Sequence, residues 1–188
     1  PVDGAYVAIL DNGNGMGTEE LNSAMQYGSK NPIDARDAKD LGRFGLGLKT
    51  ASLSQCRCLT VVTKQGDRIE GRQWDVDHVT ETGSWSLIVL EAEEFENIPN
   101  INELRAYESG TLVVWQKLDR LKAGEINFDQ ALGRKIDGVR EHLSLVFHRY
   151  LSGERGITKM KISINGEKVP AADPFLEAKS VQAMDDET

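Results

Sequence analysis

The sequence predicts one sheet interleaved with helices, an α/β or α+β class, and three observations carry that prediction. Short apolar runs bounded by turn residues recur along the chain, as strands require. Two glycine clusters, at 11–15 and 42–47, each open onto a helix-like stretch. A long segment nearer the C-terminus repeats its apolar residues at steps of three and four, the period of an amphipathic helix. With 188 residues, 39% of them hydrophobic, the chain has the size of a domain with a small appendage and enough apolar material for a core.

Taken in order, Tyr6-Val7-Ala8-Ile9-Leu10 is a continuous apolar run that fits a strand buried on both faces. It ends in the turn-rich Asp11-Asn12-Gly13-Asn14-Gly15. Thr18 is placed to N-cap a helix, with Glu19 and Glu20 at the positive end of its dipole. That helix turns Leu21, Ala24 and Met25 inward and stops near Gly28. Residues 29–41 are charged and weakly periodic, which reads as an exposed loop. A small-residue helix over 48–55 follows, then strands over 58–64, 68–75, 85–91 and 111–118. The acidic stretch 92–109, with Pro99 and several Asn, reads as irregular. A helix over 129–151 rests on Leu132, Ile136, Val139, Leu143, Val146, Phe147, Tyr150 and Leu151. Alternation over 160–164 and the Asn165-Gly166 turn predict a closing hairpin into 167–169, and the acidic end reads as a frayed tail. The expected division is 1–155 and a C-terminal piece, 156–188.

A net charge of −8 argues against non-specific binding to nucleic acid or to an anionic membrane, since both would repel the surface. No apolar run reaches the roughly 20 residues of a membrane span, and the first residues lack the pattern of a signal peptide. The chain starts without Met in a strand-like run, as a piece of a longer protein would. Cys56 and Cys58 are too close in sequence for an ordinary disulfide. His78, His142 and His148 offer them no metal-ligand spacing, so they read as buried thiols in a reducing, cytoplasmic setting.

The two glycine turns carry the chemistry. Backbone N–H groups of a tight glycine loop that leads into a helix N-terminus form an anion site, and Lys49 stands just inside that helix. Spacing narrows the options. Gly42 and Gly47 are separated as in a P-loop, but Leu48 intervenes before Lys49-Thr50. A dinucleotide G-x-G-x-x-G also fails, because no Gly stands at 50. At the first turn, Asp11 closes a buried strand and Gly13 and Gly15 leave room for a flat ring against the backbone. A carboxylate there accepts from the exocyclic amine that adenine carries and guanine lacks at the equivalent position. An EF-hand is excluded because its third ligand position would fall on Gly13.

Asp11-Asn12-Gly13-Asn14-Gly15-Met16 and Leu41-Gly42-Arg43-Phe44-Gly45-Leu46-Gly47-Leu48-Lys49-Thr50-Ala51-Ser52 resemble the G1 and G2 boxes of the gyrase, heat-shock-ninety, histidine-kinase and MutL (GHKL) ATPase superfamily. Ser109-Gly110-Thr111-Leu112-Val113-Val114 is similar to that superfamily's Gly-Thr strand. The resemblance spans about residues 5–118 and is nearest the microrchidia-like and heat-shock-like branches. It implies an α+β sandwich of the Bergerat type, a mixed sheet with helices on one face. It implies an ATP site in which Asp11 binds the adenine amine, Thr111 assists, and Gly13, Gly15 and Met16 line the base. Gly42, Gly45, Leu46, Gly47 and Leu48 would wrap the phosphates, Lys49 would help to neutralise them, and 29–41 would be the lid, with Lys30 a weaker phosphate contact.

The superfamily's N-box supplies a general-base Glu and a Mg²⁺-binding Asn from a helix before the first strand. Residues 1–10 contain neither residue type, so both groups are missing from this chain and no catalytic or metal ligand is assigned within it. The resemblance implies ATP with Mg²⁺ as ligands, a parent ATPase whose cycle drives conformational change, and homodimerisation of the full-length protein. The alternative is a Bergerat-type interaction module that works through protein partners without catalysis. A histidine-kinase core does not fit, because His142 and His148 follow the glycine motifs on the long helix.

Overall fold

The computed structural model describes residues 4–26, 47–122, 124 and 127–174. These fall into two compact units, 1–123 and 124–188, so the long helix belongs with the C-terminal residues and not with the sheet.

The first unit is a five-stranded sheet in the order β1-β5-β2-β3-β4, formed by Val7–Asp11, Ser109–Gln116, Cys58–Gln65, Arg68–Asp75 and Ile88–Val89. Every described pairing in it is antiparallel, where a mixed sheet was expected. The tight Gly66-Asp67 turn between β2 and β3 makes that pair a hairpin. Its α+β class is as expected. The fourth strand shrinks from seven residues to Ile88–Val89, because Ser84 to Ser86 form a local turn that leaves Trp85 outside the ladder.

Both faces of the sheet carry helical cover. On one face, α1 (Thr18–Met25) packs on β3 and α2 (Gly47–Leu53) on β2. Trp74 and Trp115 point to that face, and their indole N–H groups donate to Met25 O (2.9 Å) and Ser52 Oγ (2.8 Å). On the other face, Val62, Leu112 and Val114 join Leu90, Phe95, Ile98, Ile101 and Leu104 in one buried cluster. This second layer departs from the expected cover on one face only. It comes from the stretch read as irregular, which forms a 3-10 turn over Glu94–Asn97 and α4 over Ile101–Arg105.

Thr18 is the first helical residue of α1 and not its cap. Gly17 takes the cap position, and the Thr18 hydroxyl donates instead to Glu70 Oε1 at 2.7 Å. α3 (Val76–Thr82) follows β3 directly, where no helix was expected. Asp75 caps it by accepting from Asp77 N at 2.9 Å, and Gly83 ends it in the left-handed region. A short α5, Asp119–Lys122, follows β5.

In the second unit the predicted long helix is two helices, α6 (Phe128–Val146) and α7 (His148–Ser152), broken at Phe147. Asn127 caps α6 through its side chain, accepting from Gln130 N at 3.2 Å. The predicted hairpin is present as β6 (Ser163–Ile164) and β7 (Glu167–Lys168) around Asn165-Gly166. Among the described residues no helix is long and apolar enough to cross a membrane.

Candidate nucleotide site

Alternation along paired strands puts Asp11, Thr111, Thr63 and Glu70 in one row across the face of the sheet that carries α1 and α2. Asp11 stands opposite Thr111, Thr111 opposite Thr63, and Thr63 opposite Glu70. The row runs along the sheet end where β1 stops and the first glycine turn begins.

That turn is held at Gly13, Asn14 and Met16. Asp11 Oδ1 accepts from Gly13 N at 2.8 Å, which closes a local turn. The Ser109 hydroxyl donates to Gly13 O at 2.7 Å, and Gln65 Nε2 donates to Asn14 O at 3.1 Å. Met16 N donates to Thr63 Oγ1 at 2.6 Å. The glycines allow this close seating. Gly15 has φ +65°, and a Cβ there would lie 2.2 Å from Lys64 O. A Cβ at Gly110 would lie 2.2 Å from Asp11 O.

Asp11 is exposed, and among the described residues its second carboxylate oxygen has no partner, so it faces outward as an acceptor. Glu70, at the far end of the row, is held by Thr18, Arg68 and Arg72. Burial pushes its carboxyl up, but the Thr18 hydroxyl and the two guanidinium groups outweigh this and keep it below the usual range. Arg72, 6% exposed, donates from Nε to Asn22 Oδ1 at 2.7 Å and so ties α1 to β3.

The structure therefore brings Asp11, Gly13, Gly15, Met16 and Thr111 together. Gly42, Gly45, Leu46, Lys30 and the expected lid 29–41 lie outside the described residues. Gly47 and Leu48 open α2, the first exposed and the second half-buried. Lys49 is placed differently from the expectation of a phosphate contact. Its side chain is fully buried, and Nζ donates to Ala24 O (2.8 Å) and Gln26 O (2.5 Å) at the C-terminal end of α1. A cation there meets the negative end of the helix dipole and satisfies carbonyls that the helix leaves unpaired. Burial pushes the ammonium below its usual pKa.

Sequence reasoning assigned no role to Thr63, Ser109 or Gln65. Thr63 reads as an ordinary strand residue, Gln65 lies just past the strand expected over 58–64, and Ser109 closes the stretch read as irregular although it opens the Gly-Thr motif. The register of β2 and β5 places all three beneath the turn. Cys56 and Cys58 are free and buried, as expected. Cys56 precedes β2 and is not on it, and its Sγ donates to Ser52 O at 3.2 Å. Among the described residues no group of three or more His, Cys, Asp or Glu could hold a metal ion.

An α+β sheet with a stapled glycine turn at its end and a carboxylate closing the first strand has the frame of a nucleotide-binding domain. Residues 2–111 match the family described as histidine kinase-, DNA gyrase B-, and HSP90-like ATPase, and the chain belongs to that family. A search of curated proteins returned no match.

Proposed function

We propose that the chain is the ATP-binding domain of a GHKL-type ATPase, in which ATP binding and hydrolysis drive conformational change in a larger protein. The observation that supports it is the juxtaposition of Asp11 and Thr111 in register, with the Gly13–Met16 turn held beside them. In this reading the outward carboxylate oxygen of Asp11 accepts from the adenine amine and Thr111 supports the same edge. Gly13, Gly15 and Met16 line the base, and Gly42, Gly45, Leu46, Gly47 and Leu48 surround the phosphates. Lys49 enters as the anchor of α2 to α1, given where its ammonium sits.

The residues present fit the adenine end of ATP, because the turn leaves backbone without side chains next to a free carboxylate oxygen. Mg²⁺ in this reading arrives with the phosphates and supplies charge neutralisation there. This is the usual way that ion binds, with few protein ligands and several waters.

Calorimetric titration of the full-length protein with ATP and Mg²⁺ tests the reading. Asp11→Asn is expected to weaken ATP binding by at least about tenfold, the worth of a hydrogen bond to a charged group. Absence of ATP binding by the unaltered protein, or an Asp11→Asn variant that binds as well, overturns it.

A further inference from the structure

Thr63 is 2% exposed, lies one strand beyond Thr111 on the same face, and belongs to none of the three sequence motifs. Its single hydroxyl makes two contacts. It accepts from Met16 N at 2.6 Å, and it donates to Gly110 O at 3.4 Å. The first contact holds the end of the first glycine turn. The second holds the strand that carries Thr111. A hydroxyl supplies one donor and two acceptor sites, so one small group serves both neighbours without a second side chain. Valine has the same shape with neither function, and it would leave the half-buried Met16 N–H without this partner.

We infer that Thr63 is a positioning residue for base recognition: its hydroxyl sets the Met16 end of the first turn against the Gly110-Thr111 strand, and so fixes the width of the slot that selects adenine. This rests on the ATP reading above. Asp11 and Thr111 touch the base in that reading, whereas Thr63 acts through them, one residue further along the row. Selectivity between adenine and guanine depends on where acceptors and donors stand, and a shift of the Met16 segment widens the slot without removing Asp11.

The test measures the affinity of the full-length protein for ATP and for GTP, each with Mg²⁺, in Thr63→Val, Thr63→Ser and Asp11→Asn. Thr63→Val is expected to raise the Kd for ATP about tenfold and to lower the ATP-to-GTP preference, while Thr63→Ser restores both to within about twofold. If Thr63→Val does not fold, Thr63→Cys, compared with Thr63→Ser, replaces the hydroxyl by a thiol that donates and accepts only weakly and carries the same measurement. An unchanged Kd and unchanged preference in the folded variant overturn the inference. A loss of stability with the ATP-to-GTP preference intact also overturns it, because that is a structural role alone. If the unaltered protein binds no ATP, or Asp11→Asn has no effect, the ATP reading fails instead, so the two failures are told apart.

Discussion

Gly15 shows how much one missing methyl group decides. At φ +65° an L side chain is strained, and the added Cβ would also meet the Lys64 carbonyl at 2.2 Å. Gly66 has nearly the same backbone, φ +59°, with nothing within 4 Å of a built Cβ. Gly66→Ala is therefore expected to cost about 1 kcal/mol, the backbone term alone. Gly15→Ala is expected to cost roughly 2–4 kcal/mol, since strain and collision add. Urea denaturation of both variants checks the difference, and equal losses would show that the close approach to β2 carries nothing. At this scale the sequence was informative where chemistry and spacing coincide, as for Asp11, Gly13 and Gly15. Lys49 was expected to face a phosphate because a lysine after a glycine turn usually faces an anion. Here unpaired carbonyls of α1 stand nearer, a tertiary fact with no local signal.

At the scale of elements, α4 and the 3-10 turn before it were hidden by acidic neighbours. Phe95, Ile98, Ile101 and Leu104 recur at steps of three, yet Glu91, Glu93, Glu94 and Glu96 surround the first of them and dominate the local composition. The apolar spacing won because the uncovered face of β5 and β2 lies beneath it. Leu104 is fully buried in that cluster. Leu104→Ala is expected to lower stability by roughly 2–5 kcal/mol, the range for emptying a filled core position. The urea midpoint measures it, and a loss below about 1 kcal/mol would mean that α4 is an ornament and not a layer. The strands at 58–65 and 68–75 were legible to within a residue, because alternation, apolar content and the turn between them all agreed. α3 was missed although Asp75 and Gly83 bracket it, since Trp74 and Val76 read equally well as strand. The split of the long helix at Phe147 has no signal in its apolar period, which continues through the break.

For the molecule as a whole, the two ends of the sheet differ in kind. Opposite the glycine turn, Lys117 Nζ lies 2.7 Å from both Asp75 and Asp77, and Arg57 joins Asp77 and Asp119. Hydrogen bonding from Lys117, then the charges of Lys117 and Arg57, hold the Asp77 carboxyl below its usual range. Near that end burial, then the neighbouring Cys58, pushes the Cys56 thiol up to about 12, and burial, then Asp75, pushes Cys58 to about 11. Folded-state values raised above the ordinary 9.0 favour the native protein fully below pH 9. The unfolded chain loses these protons first, so stability falls as pH rises from 9 through about 11 and about 12. Urea midpoints between pH 8 and about 10.5 are expected to fall less steeply in Cys56→Ala and Cys58→Ala than in the unaltered protein. Identical slopes would show that the thiols do not report on folding. The sheet end with the stapled turn has a different consequence. Asn12 to Met16 surrender their conformational freedom when the protein folds, to Ser109, Gln65 and Thr63, and not at the moment a ligand arrives. Under the ATP reading, encounter at this end carries no loop-ordering entropy, so the base meets a template, and its residence time is set by the contacts it breaks and not by a loop that must first refold.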